Sequence, residues 1–249
     1  LELLLSIFAK GERPTGSSDP YALRRAGNGV LQILWVMGWR LDLMAFLSEA
    51  VTEWATLFPA FGVDASQLHK DLCQLMRQRL VSQLEDDGFA PDLVQAVAGD
   101  AVSNQRLLSD PLDVKQRIQL LRDLRDSGQL DAVQAVVQRA AKLAEKGDLA
   151  RDQLVASDVV QPERFESASE QNLFDALEQL QPLALNRSYQ PLADALVAAT
   201  PVLQAFFDGD TSVMVMVEDP AMRLNRLNLL AVLRNQASVL AEFESIQSK

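Results

Sequence analysis

The 249-residue sequence contains one cysteine, Cys73, and one histidine, His69. A single cysteine excludes an intrachain disulfide framework and suits a reducing compartment. A single histidine argues against Ser-His-acid and Cys-His catalytic sets, and none is assigned. His69 and Cys73 stand at i and i+4, but two ligands without a third make a poor metal site, so a part-buried cysteine beside a surface histidine is the simpler reading. No run of about 20 apolar residues is present, so no membrane span is available. Phosphate-cradling glycine loops are also missing, because Gly27-Asn28-Gly29 sits inside a helical pattern with the wrong spacing. Asp86-Asp87 reads as a solvated helix end rather than a divalent-ion site. The sequence therefore assigns no catalytic residue, no metal and no cofactor to this chain.

What is present is a helical composition. Apolar residues make up 48% of the chain, enough for a sizeable core, while aromatics are only 6%. Leu, Ala and Gln dominate, and all three favour helices. The spacing predicts an all-α fold with no repeat of fixed period. Leu1 to Phe8 reads as the end of a helix, and the chain as a piece of a longer one. Gly11 to Ser18 is turn-rich, and Asp19-Pro20 begins a helix ended by Gly38. Gly27 and Gly29 in that helix suggest close approach of a neighbouring backbone. Further helices are expected over Leu41–Phe58, from Asp64 or Ser66 to Asp87, from Pro91, from Pro111 and over Asp131–Lys146. Gly147 to Pro162 is irregular. Three short helices follow, over Ser169–Leu180, Pro191–Ala199 and Pro201–Phe207. The expected organisation is a helical body followed by a helical bundle, divided at 1–60, 61–155 and 156–249.

The last forty residues hold the pattern together. Asp219-Pro220 is a helix start, with Asp219 accepting from free N–H groups and Pro220 fitting the first turn. Met222, Leu230, Leu233, Ala237 and Leu240 share a broad apolar face. Arg226 falls on that face and is assigned to holding the fold, with Glu218 or Glu242 as candidate partners. Arg223 and Arg234 flank the face, and Asn225, Asn228 and Asn235 occupy the polar side. Arginines with amides suit hydrogen bonding to unstacked RNA bases and phosphates.

Charge sets a limit on that reading. With 23 basic and 34 acidic residues the net charge is −11, so the bulk field does not attract a polyanion and any such contact depends on local basic patches. Lys115, Arg117, Arg122 and Arg125 concentrate positive charge in the middle third. Arg139, Lys142 and Lys146 follow at i, i+3 and i+7 on one helix face, where they could hold phosphates or form an ordinary solvated face. The alternative class is a non-catalytic all-α scaffold that binds only protein.

Two stretches carry a resemblance. Pro14 to Arg25 reads Pro-Thr-Gly-Ser-Ser-Asp-Pro-Tyr-Ala-Leu-Arg-Arg. The second comprises Phe206-Phe207-Asp208, Val213-Met214-Val215-Met216 and the run from Arg223 to Leu230. Together they resemble the β subunit of bacterial heterotetrameric glycyl-tRNA synthetase, its C-terminal part including an all-helical anticodon-binding domain. Two departures stand out: the four-residue turn Gly209 to Ser212, and Gln138 to Lys142 where the family has an Asn-Lys-Arg-containing helix. The resemblance implies a cytoplasmic class II enzyme of two α and two β subunits, with ATP, glycine and the chemistry on the α subunit. The β subunit would bind glycine tRNA, its last domain would contact the anticodon stem-loop, and this part alone would be non-catalytic. The implied tRNA-binding residues are Arg223, Asn225, Asn228, Arg234, Arg139 and Lys142, with Arg226, Asp219 and Pro220 structural. The implied partners are glycine tRNA, the α subunit and the rest of the β subunit, with no membrane. Leu1 to Phe8 would end a His-Asp-type helical domain.

Overall fold

The computed structural model describes residues 1–15 and 18–247. Gly16 and Ser17, within the first stretch of resemblance, lie outside the described residues. Eleven α-helices and no strand occur among the described residues, an all-α fold as the apolar spacing predicts. The chain forms two compact units, Leu1–Ile118 and Gln119–Lys249. That boundary falls inside a helix, and residues 119–155 share a unit with the last helix, a partition different from 1–60, 61–155 and 156–249.

The first unit contains α1 (Glu2–Ala9), α2 (Leu23–Met37), α3 (Leu43–Leu57), α4 (Ala65–Asp86), α5 (Pro91–Ala98), α6 (Asn104–Leu108) and the first half of α7 (Pro111–Asp126). Its axis is α4, against which α1, α2, α3, α5 and α6 all pack. The reason is the buried stripe Leu68, Leu72, Met76, Leu80 and Leu84, one side chain per turn, joined by Leu75 and Cys73. Asp64, rather than Ser66, caps the helix, accepting from Gln67 N at 3.1 Å.

The start of α2 differs from the sequence expectation. The Asp19 carboxylate accepts from Leu23 N at 2.8 Å and Arg24 N at 3.0 Å. Residues 20–22 form a turn beneath it, and Ala22 takes the left-handed conformation at φ 55°. Asp19 is thus the anion at the helix start, but the first helical residue is Leu23 rather than Pro20. Gly27 does meet a close neighbour, though a side chain rather than a backbone: a β-carbon there would stand 3.0 Å from Arg79 Cγ. Gly29 has open space. The short helix α6, capped by Ser103 on Arg106 N at 3.1 Å, has too few residues to show a period in sequence.

The second unit contains α8 (Leu130–Ala144), α9 (Ala168–Leu185), α10 (Tyr189–Phe207) and α11 (Pro220–Ser238). Ser167 starts α9 with a capping box, and its own side chain accepts from Glu170 N at 3.3 Å while Ser167 N donates to Glu170 at 3.0 Å. Two of the three expected short helices are one. Pro201 lies within α10, where its ring removes the bond to Val197. Leu192, Leu196, Leu203 and Phe206 are buried on both sides of it, and that continuous apolar packing offsets the lost bond. Val213 to Val217 pairs with no strand among the described residues, but it is not extended as its composition suggests: it bends at Val215 and Met216, with Val217 N donating to Val215 O at 3.1 Å. Val215 is buried while Met214 and Met216 are exposed.

Candidate nucleic-acid interface

The apolar spacing of α11 predicts an amphipathic helix with one polar side in solvent. The helix is instead buried on nearly every side from Asn225 to Ala237. One side packs on α8 and α9. The other is covered by the irregular segment 148–162, whose backbone groups lack helix partners and must find them elsewhere. The polar side chains of α11 supply them.

Asn225 donates to Gln161 O at 3.1 Å and accepts from Gln161 N at 2.7 Å, completing both groups of one peptide residue. Asn228 donates to Val159 O at 2.8 Å. Asn235 donates to Ala150 O and Gln153 O, both at 2.8 Å. Gln236 donates to Leu154 O at 2.8 Å and Leu177 O at 3.1 Å. Arg234 holds Asn235 Oδ1 at 2.9 Å and reaches Leu149 O at 3.3 Å. Burial, which disfavours its charged form, lowers the Arg234 pKa.

The expected exposed edge of Asn225 and Arg234 is therefore corrected. Both are buried, and both use their hydrogen bonds to tie the loop to the helix. The dense run of Asn, Gln and Arg opposite an irregular stretch was the signal for this. Asn228 is half-buried and helps line a pocket of about 180 Å³ with Val159, Gln161, Arg164, Leu224 and Asn225. Arg223 is also half-buried, donating to Val217 O at 3.2 Å just before the helix.

Arg226 is the buried anchor of this unit. Neither Glu218 nor Glu242 is its partner. Its Nε donates to Glu170 Oε1 at 2.7 Å, one Nη to Glu166 at 2.9 Å and the other to Met214 O at 3.0 Å. Glu170 has no exposed surface. Burial alone would raise its pKa, but hydrogen bonds from Arg226 and from the Glu166 and Ser167 N–H groups outweigh this and lower it. The arginine thus links α9, the connection over 213–217 and α11. Asp219 caps α11 through Ala221 N at 2.8 Å and Met222 N at 3.2 Å, with Pro220 in the first turn.

The basic residues of the middle third divide. Arg117 is buried and paired with Asp113 at 2.8 Å. Lys115 pairs with Asp87 and lies 4.8 Å from the ring centroids of Trp35 and Phe89. Arg117 is thus held away from a polyanion, whereas Lys115 is half-buried beside an exposed acid. Arg139 and Lys142 are exposed on the outer face of α8, and Lys146 follows in the turn beyond it. Arg139 bonds Asp208 at 2.6 Å, and its guanidinium sits 4.6 Å from the Phe207 ring centroid. Asp208 is itself exposed, so a phosphate could replace it without uncovering a buried acid. This gives unit 2 one face with accessible cations.

No group of three or more His, Cys, Asp or Glu able to hold a metal occurs among the described residues. His69 Nε2 lies 3.2 Å from Met44 O and 3.4 Å from Cys73 Sγ, and burial pushes the thiol up to about 11. The pair is packed rather than poised for nucleophilic work. No helix among the described residues is long and apolar enough to cross a membrane.

Residues 1–99 match the family model described as glycyl-tRNA synthetase beta subunit. Over 99% of its length the chain is 44% identical to the glycine--tRNA ligase beta subunit of Picosynechococcus sp., of which it covers 35%. It is 45% identical to the protein of the same name from Acaryochloris marina, again over 99% of the chain and 35% of the relative. A more divergent relative of that name, from Aliivibrio salmonicida, is 32% identical over 99% of the chain and 34% of its own length. Sequence similarity to glycine--tRNA ligase beta subunits thus runs through both compact units, and the chain spans about a third of the length of the relatives it matches.

Proposed function

We propose that this chain is the tRNA-binding C-terminal part of a glycine–tRNA ligase β subunit, supporting ATP-dependent aminoacylation of glycine tRNA in the cytoplasm. The observation that carries the proposal is identity above 40% along 99% of the chain to proteins named as that subunit. In this reading ATP, glycine and the chemistry belong to an α-subunit partner in a heterotetramer of two α and two β subunits. The last helical region, from about residue 156, meets the anticodon stem-loop. Arg139 and Lys142 contact phosphates, Asn228 and Arg223 contribute at the rim of α11, and Asn225 and Arg234 act through the loop that they hold. Arg226, Asp219 and Pro220 keep the helix in place.

The net charge of −11 favours one other reading, a helical scaffold that binds only protein. A gel-shift titration with glycine tRNA and a non-cognate tRNA, repeated across salt, separates the two. Salt-dependent, tRNA-selective binding supports the proposal. No binding even at low salt supports the scaffold. Aminoacylation by this chain without an α subunit would overturn the assigned division of labour.

A further inference from the structure

Ten of the fourteen exposed large apolar side chains among the described residues belong to unit 1. A cluster of them borders a groove of about 1010 Å³ between α1 and α3. Leu3, Phe46, Trp54, Leu57 and Phe58 line it, and Leu57 is 72% exposed. Trp54 and Phe58 are not loose side chains. Their rings meet at a tilt of 41° with centroids 5.0 Å apart, and Phe61 closes on Trp54 at 5.2 Å. An ordered apolar surface of this kind, left to water, marks an interaction site.

The groove also has a charge. Among the described residues Glu2, Glu49 and Glu53 are the ionisable side chains that line it, and no Lys or Arg does. From Phe46 to Phe58 the α3 wall is about 18 Å long at 1.5 Å per residue, room for about three turns of a helix lying alongside. A helix that fits would carry apolar anchors at i, i+3 or i+4, and i+7, with Lys or Arg on its flanks to meet the glutamates.

We propose that this groove receives a basic-flanked amphipathic helix from the remainder of the β subunit itself. This rests on the family reading, under which about two-thirds of the subunit lies outside the matched part. The groove belongs to the unit that the β-subunit family model matches, at residues 1–99. A second copy of this chain is a poor occupant, since it would set the same three glutamates against themselves on a molecule of net charge −11.

Hydroxyl-radical footprinting tests the assignment on three samples: this 249-residue chain, the full-length β subunit alone, and the full-length subunit with its α partner. Trp54 and Phe58 should oxidise several-fold more slowly in the full-length subunit alone than in the short chain. Leu57→Asp should restore fast oxidation of both in the full-length subunit while leaving the melting temperature of the short chain unchanged. Equal rates in the full-length subunit and the short chain would overturn the proposal. Protection that appears only after the α subunit is added, or only at concentrations where the chain dimerises, would overturn it too, by naming another occupant. The footprint uses no tRNA, so a failure of docking and a failure of the tRNA-binding function are read separately.

Discussion

Removing the Arg226 guanidinium should cost unit 2 about 3 kcal/mol, the lower end of the range for breaking a buried ion pair. Arg226→Ala deletes the bonds to Glu170, Glu166 and the Met214 carbonyl. The consequences differ by partner. Glu166 is 62% exposed at its side chain and returns to water at little cost. Glu170 is fully buried, but it keeps the Glu166 and Ser167 N–H donors of its capping box. Those remaining bonds set the loss at the lower end of that range. The pH dependence gives a second handle. In the wild type the Glu170 pKa is lowered, so its contribution is complete above the unfolded-state value and is lost as pH falls through the lowered folded value. Without Arg226, burial dominates and raises that pKa, so protonation relieves the variant at mildly acid pH. Urea unfolding of wild type and variant at pH 7 and pH 4 measures both effects. The stability gap should be about 3 kcal/mol at pH 7 and visibly smaller at pH 4. A gap below about 1 kcal/mol, the scale of an exposed ion pair, or one independent of pH, would refute the anchoring role.

Other outcomes follow from the same packing. Asn235→Ala leaves the Gln153 carbonyl without its donor and the Ala150 carbonyl with only the 3.3 Å bond from Gln153 N, and should destabilise by about 1–3 kcal/mol, measurable by urea unfolding. Arg234→Ala should lower the melting temperature as well, because its guanidinium is buried against the loop. An unchanged melting temperature there would contradict the corrected placement. Gly27→Leu should cost about 1–3 kcal/mol by driving a side chain into Arg79, whereas Gly29→Ala, facing open space, should stabilise by about 0.5–1 kcal/mol. Arg139→Glu with Lys142→Glu should leave thermal unfolding unchanged and reduce the salt slope of tRNA binding by about 1 for each phosphate that is no longer held.

Local chemistry was legible in the sequence where a single residue decides it. Asp64 caps its helix through its own carboxylate, and Gly38 closes α2 in the left-handed conformation at φ 63°. Pro201 misled because the ring's local cost is visible in sequence, while the apolar packing that outweighs it, Leu196 and Leu203 on a common face, depends on α9 and α8. Asn225 and Arg234 misled for a similar reason. A polar side chain looks alike in sequence whether it meets water or a loop carbonyl, and segment 148–162 has no period that announces where it lies. Arg226 was recognisable as buried from its place among leucines, but Glu170 lies 56 residues away and was not identifiable as its partner.

The most direct test is photo-crosslinking of glycine tRNA to the assembled enzyme, with the adducts mapped to residues. The account predicts adducts on the outer face of α8 around Arg139 and Lys142 and at the α11 rim around Arg223 and Asn228. These should disappear with excess glycine tRNA as competitor but not with a non-cognate tRNA. Adducts absent from residues 119–249, or displaced equally by both competitors, would contradict it.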